Sequence, residues 1–301
     1  MALSTSTRQR LLFAILCLVW GSTFLALKAG VTVVPPGIFS GLRWTLAGAV
    51  LLVFRAARGQ PVLVSPQVAW RVLWVAVVMI SVNAVIMLYG LRYTPSGLGS
   101  VVSSAFTPIT LLGFAVALGQ EQFTRRHFYA LAVGVAGILL LFGPQALEGQ
   151  LRMSELLGAG GILLGTVCYS YASVLARPMM RTLPPVQMAG LTNVMGGVVL
   201  IVGSLAFEPG AWHAMRLDWG PSAWAGFLFL LLAGSLGATI IYFFLVRDWG
   251  ASRTGTYAFI SPIVAVLLGM AVFGETVHAT DAAGMALMLL AAGIVLRKPS
   301  A

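Results

Sequence analysis

Long apolar blocks separated by short polar or charged clusters run the length of the chain. The blocks fall at 10–30, 35–54, 69–90, 96–118, 127–143, 155–177, 184–206, 223–246, 251–273 and 278–297. Crossing a hydrocarbon core of roughly 30 Å takes about 20 residues of helix, and the blocks have about that length. Membrane β-strands would be about 10 residues long and would alternate polar with apolar. Stretches such as Ile162–Val167 and Gly226–Leu232 show no alternation. Helices also satisfy their own backbone hydrogen bonds, which lipid cannot do. The pattern predicts ten membrane helices. The first block follows Arg8 and Arg10, as the core of a signal peptide would. It is longer than the usual 7–15 residues or so, and it runs to Lys28 and Gly30 without a small-x-small cleavage site. It is read as a membrane helix.

Composition narrows the classes. Hydrophobic residues make up 59% of the 301 residues and charged residues 9%, with a mean hydropathy of +0.96. Soluble domains carry about 25% charged residues, so an ordinary cytosolic enzyme and a disordered chain are both excluded. Ten spans consume roughly 200 residues and leave no room for a separate soluble catalytic domain. Cys17 and Cys168 sit inside apolar runs and imply no disulfide framework. The net charge of +10 lies between hydrophobic runs, which reads as membrane topology rather than nucleic-acid binding. With the N-terminus placed inside, the cytoplasmic segments hold Arg8, Arg10, Arg55, Arg58, Arg71, Arg125, Arg126, Arg177, Arg181, Arg247, Arg253, Arg297 and Lys298. The outer segments hold only Lys28, Arg92, Arg152 and Arg216. This positive-inside bias predicts that both termini are cytoplasmic.

The chain repeats itself. A shift of 149 residues brings Pro35-Pro36 onto Pro184-Pro185, Gly41-Leu42 onto Gly190-Leu191, Gly48 onto Gly197, and Val50-Leu51 onto Val199-Leu200. A shift of 154 brings Pro108-Ile109 onto Pro262-Ile263 and Glu121 onto Glu275. The expected organisation is two five-helix halves, 1–150 and 151–301. Five spans is an odd number, so the second half enters the membrane inverted, an architecture found in transporters.

Candidate chemistry is sparse. Arg43 lies a third of the way along the second span, where a guanidinium is costly. Two readings stand: an anchor for a substrate carboxylate, or a side chain that snorkels outward or pairs with a helix-end carbonyl. Its repeat counterpart is Thr192, next to Asn193. Every Asp and Glu lies near a span end or in a connection, which argues against an ion-driven pump. His127, His213 and His278 are scattered, without metal-ligand spacing, and no phosphate-binding loop is present. Polar and aromatic side chains do cluster at mid-span: Trp20, Ser22 and Thr23; Ser81 and Asn83 with Met79 and Met87; Ser103, Ser104 and Thr107; Thr166, Cys168, Tyr169 and Tyr171; Ser235, Thr239 and Tyr242; Thr256, Tyr257 and Ser261. They read either as interhelical hydrogen bonds or as the lining of a midplane pocket. Gly161 and Gly165 form a close-packing step. Pro108 and Pro262 each remove a backbone donor mid-helix and are candidate hinges.

Several of these residues resemble a known family. Trp20-Gly21-Ser22-Thr23-Phe24 is similar to the W-G-[ST]-x-F opening of the ten-helix EamA-type branch of the drug/metabolite transporter superfamily. Leu42-Arg43 followed by Trp44 resembles its L-R-[FY] element. The stretch from Tyr93 to Gly137, with Thr94, Pro108, Gly119 and Glu121, resembles the end of its repeat, as do Phe259-Ile260-Ser261-Pro262 and Phe273-Gly274-Glu275 in the second half. The chain departs at Gln120, which separates Gly119 from Glu121, and at Thr23, where Asn is common. The resemblance implies a cavity lined by spans one to four and six to nine, with spans five and ten peripheral. Family members export amino acids and other metabolites, or carry drugs and nucleotide-sugars. Bacterial exporters of amino acids, including aromatic ones, are the most similar in general appearance.

The expected protein is an all-α, inner-membrane exporter of neutral or aromatic amino acids. It works by alternating access down the substrate gradient, without cofactor or metal, as a monomer or weak homodimer. Its partners are the bilayer and a small-molecule substrate, not nucleic acid. The expected binding residues are Trp20, Ser22, Thr23, Arg43, Trp44, Met79, Asn83, Met87, Ser103, Thr107, Tyr169, Tyr242 and Tyr257. The alternatives are a proton-coupled multidrug or other metabolite exporter, and a membrane-embedded enzyme.

Overall fold

The structure is a computed structural model that describes residues 5–31, 33–93, 96–147, 152–273 and 279–296. All regular structure among them is helical, with no strand. The elements in chain order are α1 (Thr5–Val31), α2 (Pro36–Ala57), α3 (Pro66–Ala76), a first π-helical segment (Val77–Val82), α4 (Asn83–Tyr93), α5 (Ser96–Ala117), α6 (Arg125–Leu147), α7 (Met153–Met179), α8 (Pro185–Phe207), the short α9 (Ala211–Ala214), α10 (Gly220–Phe229), a second π-helical segment (Leu230–Ala238), α11 (Thr239–Trp249), α12 (Ala251–Gly255), α13 (Tyr257–Phe273) and α14 (Ala279–Leu296). Seven helical stretches among the described residues are long and apolar enough to cross a membrane, and Val102–Ala117 is a shorter apolar one. The predicted spans at 10–30 and 127–143 fall on α1 and α6, helices of 27 and 23 residues. Glu148, Glu275, His278, Arg297 and Lys298 lie outside the described residues.

Local sequence sets the helix ends. Pro36 and Pro185 occupy the first turns of α2 and α8, where a missing N–H costs nothing. The proline before each is extended, with ψ 127° at Pro35 and 146° at Pro184, as a residue preceding proline must be. The two double prolines therefore start their helices with the same geometry. Gly59 and Gly119 follow α2 and α5 with φ of +66° each, the left-handed stop that glycine adopts without strain.

The chain forms two compact units. Residues 1–85 and 175–248 make the first, 86–174 and 249–301 the second, so each draws on both halves of the sequence. In the first unit α2 packs against α8 through glycines. A methyl added to Gly48 would lie 2.6 Å from the Gly190 carbonyl oxygen, and one on Gly197 would lie 2.8 Å from that of Gly41. Under the 149-residue shift Gly41 corresponds to Gly190 and Gly48 to Gly197. Each helix thus presents its first glycine to its neighbour's second, the reciprocity of a two-fold contact. The first π segment packs on α8 and the second on α2, which obeys the same exchange. One end of this unit is filled by aromatic side chains. Phe39 lies 5.8 Å from Trp219 and 5.7 Å from Phe227, ring centroid to centroid, and Gly30 leaves room for the Phe39 ring.

The second unit packs α6 on α14, where Gly137 faces Gly284 and Met288. Its core holds Ala105, Ile138, Phe259, Ile263, Met288, Ala291 and Ala292. Gly134 makes room for Phe259. Of the predicted glycine step, Gly161 approaches Ile86 and Gly90, and Gly90 in turn faces Gly158 and Ile162. Glu121 accepts hydrogen bonds from the Ser252 hydroxyl and, at 3.4 Å, the Ser252 amide, at the start of α12.

Candidate functional site

Arg43 is the one charged candidate, and α2 carries it into the first unit with 8% of its surface exposed. Its guanidinium carbon lies 4.5 Å from the centroid of the Trp44 ring. That separation is within the range of a cation–π contact. The Nε atom is buried without a hydrogen-bond partner among the described residues. The described acids of this unit are occupied elsewhere or exposed. Glu208 accepts from the Gly37 amide and the Ser204 hydroxyl, Asp248 accepts from Gln9 and Arg247, and Asp218 is exposed in a loop. The buried cation therefore lacks a protein counter-charge among the described residues.

Around Arg43 the elements converge on the second π segment. A methyl built on Gly234 would lie 3.7 Å from Arg43 Nη1, 3.9 Å from Thr23 Cγ2 and 3.9 Å from Leu230 Cδ2. Asn193 donates to the Ser235 carbonyl at 3.1 Å, while Asn193 Oδ1 and Ser235 Oγ are buried without partners. One turn from Thr23, Trp20 meets Tyr242 with ring centroids 5.1 Å apart. Trp20, Thr23, Arg43, Trp44 and Tyr242 are thus held in one unit by α1, α2 and α11. Met79 is buried in the first π segment and Asn83 is half-buried just after it.

The predicted residues Met87, Ser103, Thr107, Tyr169 and Tyr257 belong to the second unit. Thr107 is buried and the other four are half-buried. Both hinge candidates, Pro108 and Pro262, lie inside α5 and α13, and these helices continue through them.

Most of the hydroxyls are spent within their own helices rather than between helices. Ser22 donates to Leu18 and Val19, Thr23 to Trp20, Thr107 to Ser103, and Thr166 to Ile162. Such back-bonding is the usual way a mid-helix Ser or Thr satisfies itself. Among the mid-span polar side chains, Ser81 donates across to the Gly196 carbonyl at 2.8 Å, Asn193 to the Ser235 carbonyl, and Thr110 pairs with Ser170 at 2.7 Å. Asn193, Gly234 and Ser235 were not among the predicted binding residues. Asn193 carried one usable signal, its position opposite Trp44 in the repeat. A separate groove of about 600 Å³ lies in the first unit between α3 and the end of α7. It is lined by Trp70, Arg71, Trp74, Pro178 and Met179 and includes none of the predicted binding residues.

Both halves of the chain match the model of the EamA-like transporter family, over residues 9–143 and 156–297. The chain is 31% identical over 295 residues to the uncharacterised inner membrane transporter YedA of Escherichia coli (strain K12), covering 94% of this chain and 89% of that one. It is 24% identical to the uncharacterised transporter YoaV of Bacillus subtilis (strain 168), over 84% of each chain. A solved crystal structure shares its fold, with a TM-score of 0.81 over 96% of both chains at 21% identity. The chain belongs to the EamA-like transporter family, within the drug/metabolite transporter superfamily.

Proposed function

We propose that this protein exports small neutral metabolites across the inner membrane, with zwitterionic amino acids bearing aromatic or apolar side chains as its preferred cargo. Transport follows from family membership, and the inner membrane from the name of the YedA relative. The proposed frame is ten spans in two inverted five-helix halves. The reciprocal glycine contacts of α2 and α8 support it, as do the π segments at matching positions: the 154-residue shift carries Val77–Val82 onto 231–236, inside Leu230–Ala238. Two halves of opposite orientation can exchange conformations, opening the site to each face in turn.

One observation carries the substrate class. The first unit buries the Arg43 cation, without an acidic partner among the described residues, close to a Trp20–Tyr242 aromatic pair. Aromatic faces suit apolar or aromatic side chains, and the guanidinium suits a carboxylate. Arg43 offers a dianion a single positive charge, and no described acid stands beside it for a polyamine. No described carboxylate lies at mid-span, so the proposed flux runs down the substrate gradient without a coupled ion.

Uptake by proteoliposomes of the purified protein tests this reading. Labelled phenylalanine, methionine and threonine should move faster than lysine, glutamate or a quaternary cation. A preference for any of the last three, or no amino-acid flux at all, would overturn the substrate assignment.

A further inference from the structure

We infer that the groove between α3 and the end of α7 binds one anionic phospholipid, its phosphate on Arg71 and an acyl chain along the apolar walls. The site is separate from Arg43 and rests on membrane insertion, not on the export reading. α3 opens the apolar stretch Pro66–Gly90, and only about a third of the most apolar part of that stretch is buried inside the protein. The groove runs along the first turns of α3, where the span begins. Val68, Arg71 and Val75 are spaced three and four residues apart, and Trp70 and Trp74 four apart, so α3 offers it two adjoining rows. Leu175, Pro178 and Met179 form the other wall. Trp70 and Trp74 are 69% and 52% exposed. Indole rings at the end of a membrane span favour the headgroup level, where the ring meets lipid and its N–H meets water.

Charge selects the occupant. Arg71 is the one charged side chain in the lining, and Arg181 is exposed next to Thr182 of the lining. Neither is ion-paired among the described residues. Hydrogen bonds from Arg55 to Gln187 and from Gln187 to the Val62 carbonyl tie the link before α3 to the start of α8. Residues 55–75 and 175–187, which these bonds join at one end of the unit, contain five arginines and no acid. An apolar groove with a cationic rim fits a molecule with an apolar chain and an anionic head. Basic pockets between membrane helices hold anionic lipid headgroups in this way, and arginine reaches from a span end to that level. The groove volume of about 600 Å³ lies within the roughly 300–1,000 Å³ of ligand sites. A second copy docked about a two-fold axis would instead set one cationic groove against another.

Native mass spectrometry of the full-length protein, delipidated in detergent, tests the site. Dioleoyl phosphatidylglycerol and dioleoyl phosphatidylethanolamine have the same acyl chains and differ in head charge. The expected result is one saturable phosphatidylglycerol adduct, bound several-fold tighter than phosphatidylethanolamine. Arg71→Gln should weaken phosphatidylglycerol about fivefold, the effect of one arginine near an anionic membrane surface, and leave phosphatidylethanolamine unchanged. Trp74→Ala should weaken both lipids alike. Arg216→Gln, at an exposed position outside the groove, should change neither. Arg71 and Trp74 are exposed, so neither substitution empties the core. Three results overturn the inference: equal binding of the two lipids by the wild-type protein, a phosphatidylglycerol preference that survives Arg71→Gln, or equal losses in Arg71→Gln and Arg216→Gln. Displacement of phosphatidylglycerol by inorganic phosphate would show an anion site that makes no use of the groove, and would overturn it too.

Discussion

Replacing Gly197 with alanine should separate α2 from α8. The added methyl would lie 2.4 Å from Thr45 Oγ1, 2.6 Å from Thr45 N and 2.8 Å from the Gly41 carbonyl oxygen. The hydroxyl can rotate away, but the other two atoms are helix backbone. Ordinary contact begins at 3.4 Å, so Thr45 N must retreat by about 0.8 Å, and α2 moves with it. A radial gap of 0.5–1 Å or so forfeits roughly a quarter to a half of each van der Waals well along the seam. Within lipid no hydrophobic term replaces that loss, because acyl chains are as apolar as the side chains they touch. Overpacking of this kind costs about 1–3 kcal/mol. Gly203 lies on the same helix, and its methyl would meet nothing within 4 Å, so Gly203→Ala should change stability by no more than about 0.5 kcal/mol. The assay is reversible unfolding of both variants in mixed micelles, followed by tryptophan fluorescence. Equal stabilities for Gly197→Ala and Gly203→Ala would refute the claim that backbone contact, rather than glycine content, holds this pair together.

Three further outcomes are expected. A reporter fused after Ala301 should be active only in the cytoplasm, from the excess of Arg and Lys in the predicted inner segments; activity outside the membrane would reverse the topology. Trp20→Ala should remove the 5.1 Å ring pair with Tyr242, an interaction worth about 0.5–1.5 kcal/mol beyond burial. Transport of aromatic amino acids should fall about two- to tenfold in competition against threonine, with membrane insertion unchanged; equal loss for both substrates would mark the pair as structural. An imposed pH or sodium difference should not drive accumulation of substrate in proteoliposomes, and uphill uptake under either would show an ion pathway.

The helices were legible because membrane spans are written in run length, which survives without tertiary information. The double prolines at 35–36 and 184–185 marked two helix starts to within a residue. The π segments were not legible. Their register departs from an α-helix by one residue per turn, and packing of α8 and α2 against them decides it, not local propensity. Ser235 was visible there as a mid-span polar group, and Gly234 and Gly237 only as small residues. The candidate site was half legible. Arg43 stands out because charge in lipid is rare, and Trp20 and Tyr242 stand out as aromatics among aliphatics. Thr23 and Thr107 donate to carbonyls of their own helices, a partner that sequence does not display.

The proposed repeat makes the mismatches between its halves more informative than the matches. Where α2 has Arg43-Trp44, α8 has Thr192-Asn193. Thr192 is fully buried and bonds its own helix at Met188 and Ala189, so that position is neutral and satisfied. Ser81 of the first π segment donates to the Gly196 carbonyl, whereas its counterpart Ser235 keeps a buried hydroxyl without a partner. The scaffold is therefore shared, since the glycine contacts of α2 and α8 and the two π segments exchange under the shift. The buried polar atoms without a partner near the second π segment, Arg43 Nε, Asn193 Oδ1 and Ser235 Oγ, do not follow that exchange. Exchange of conformations between two halves needs the scaffold to be similar so that both states have similar energy. Recognition needs groups left unsatisfied by the protein itself, because a donor already bonded has little to gain from a ligand. On this chain the two demands fall on different residues of the same helices, and a change at Gly197 should be felt in stability while a change at Arg43 should be felt in what is bound.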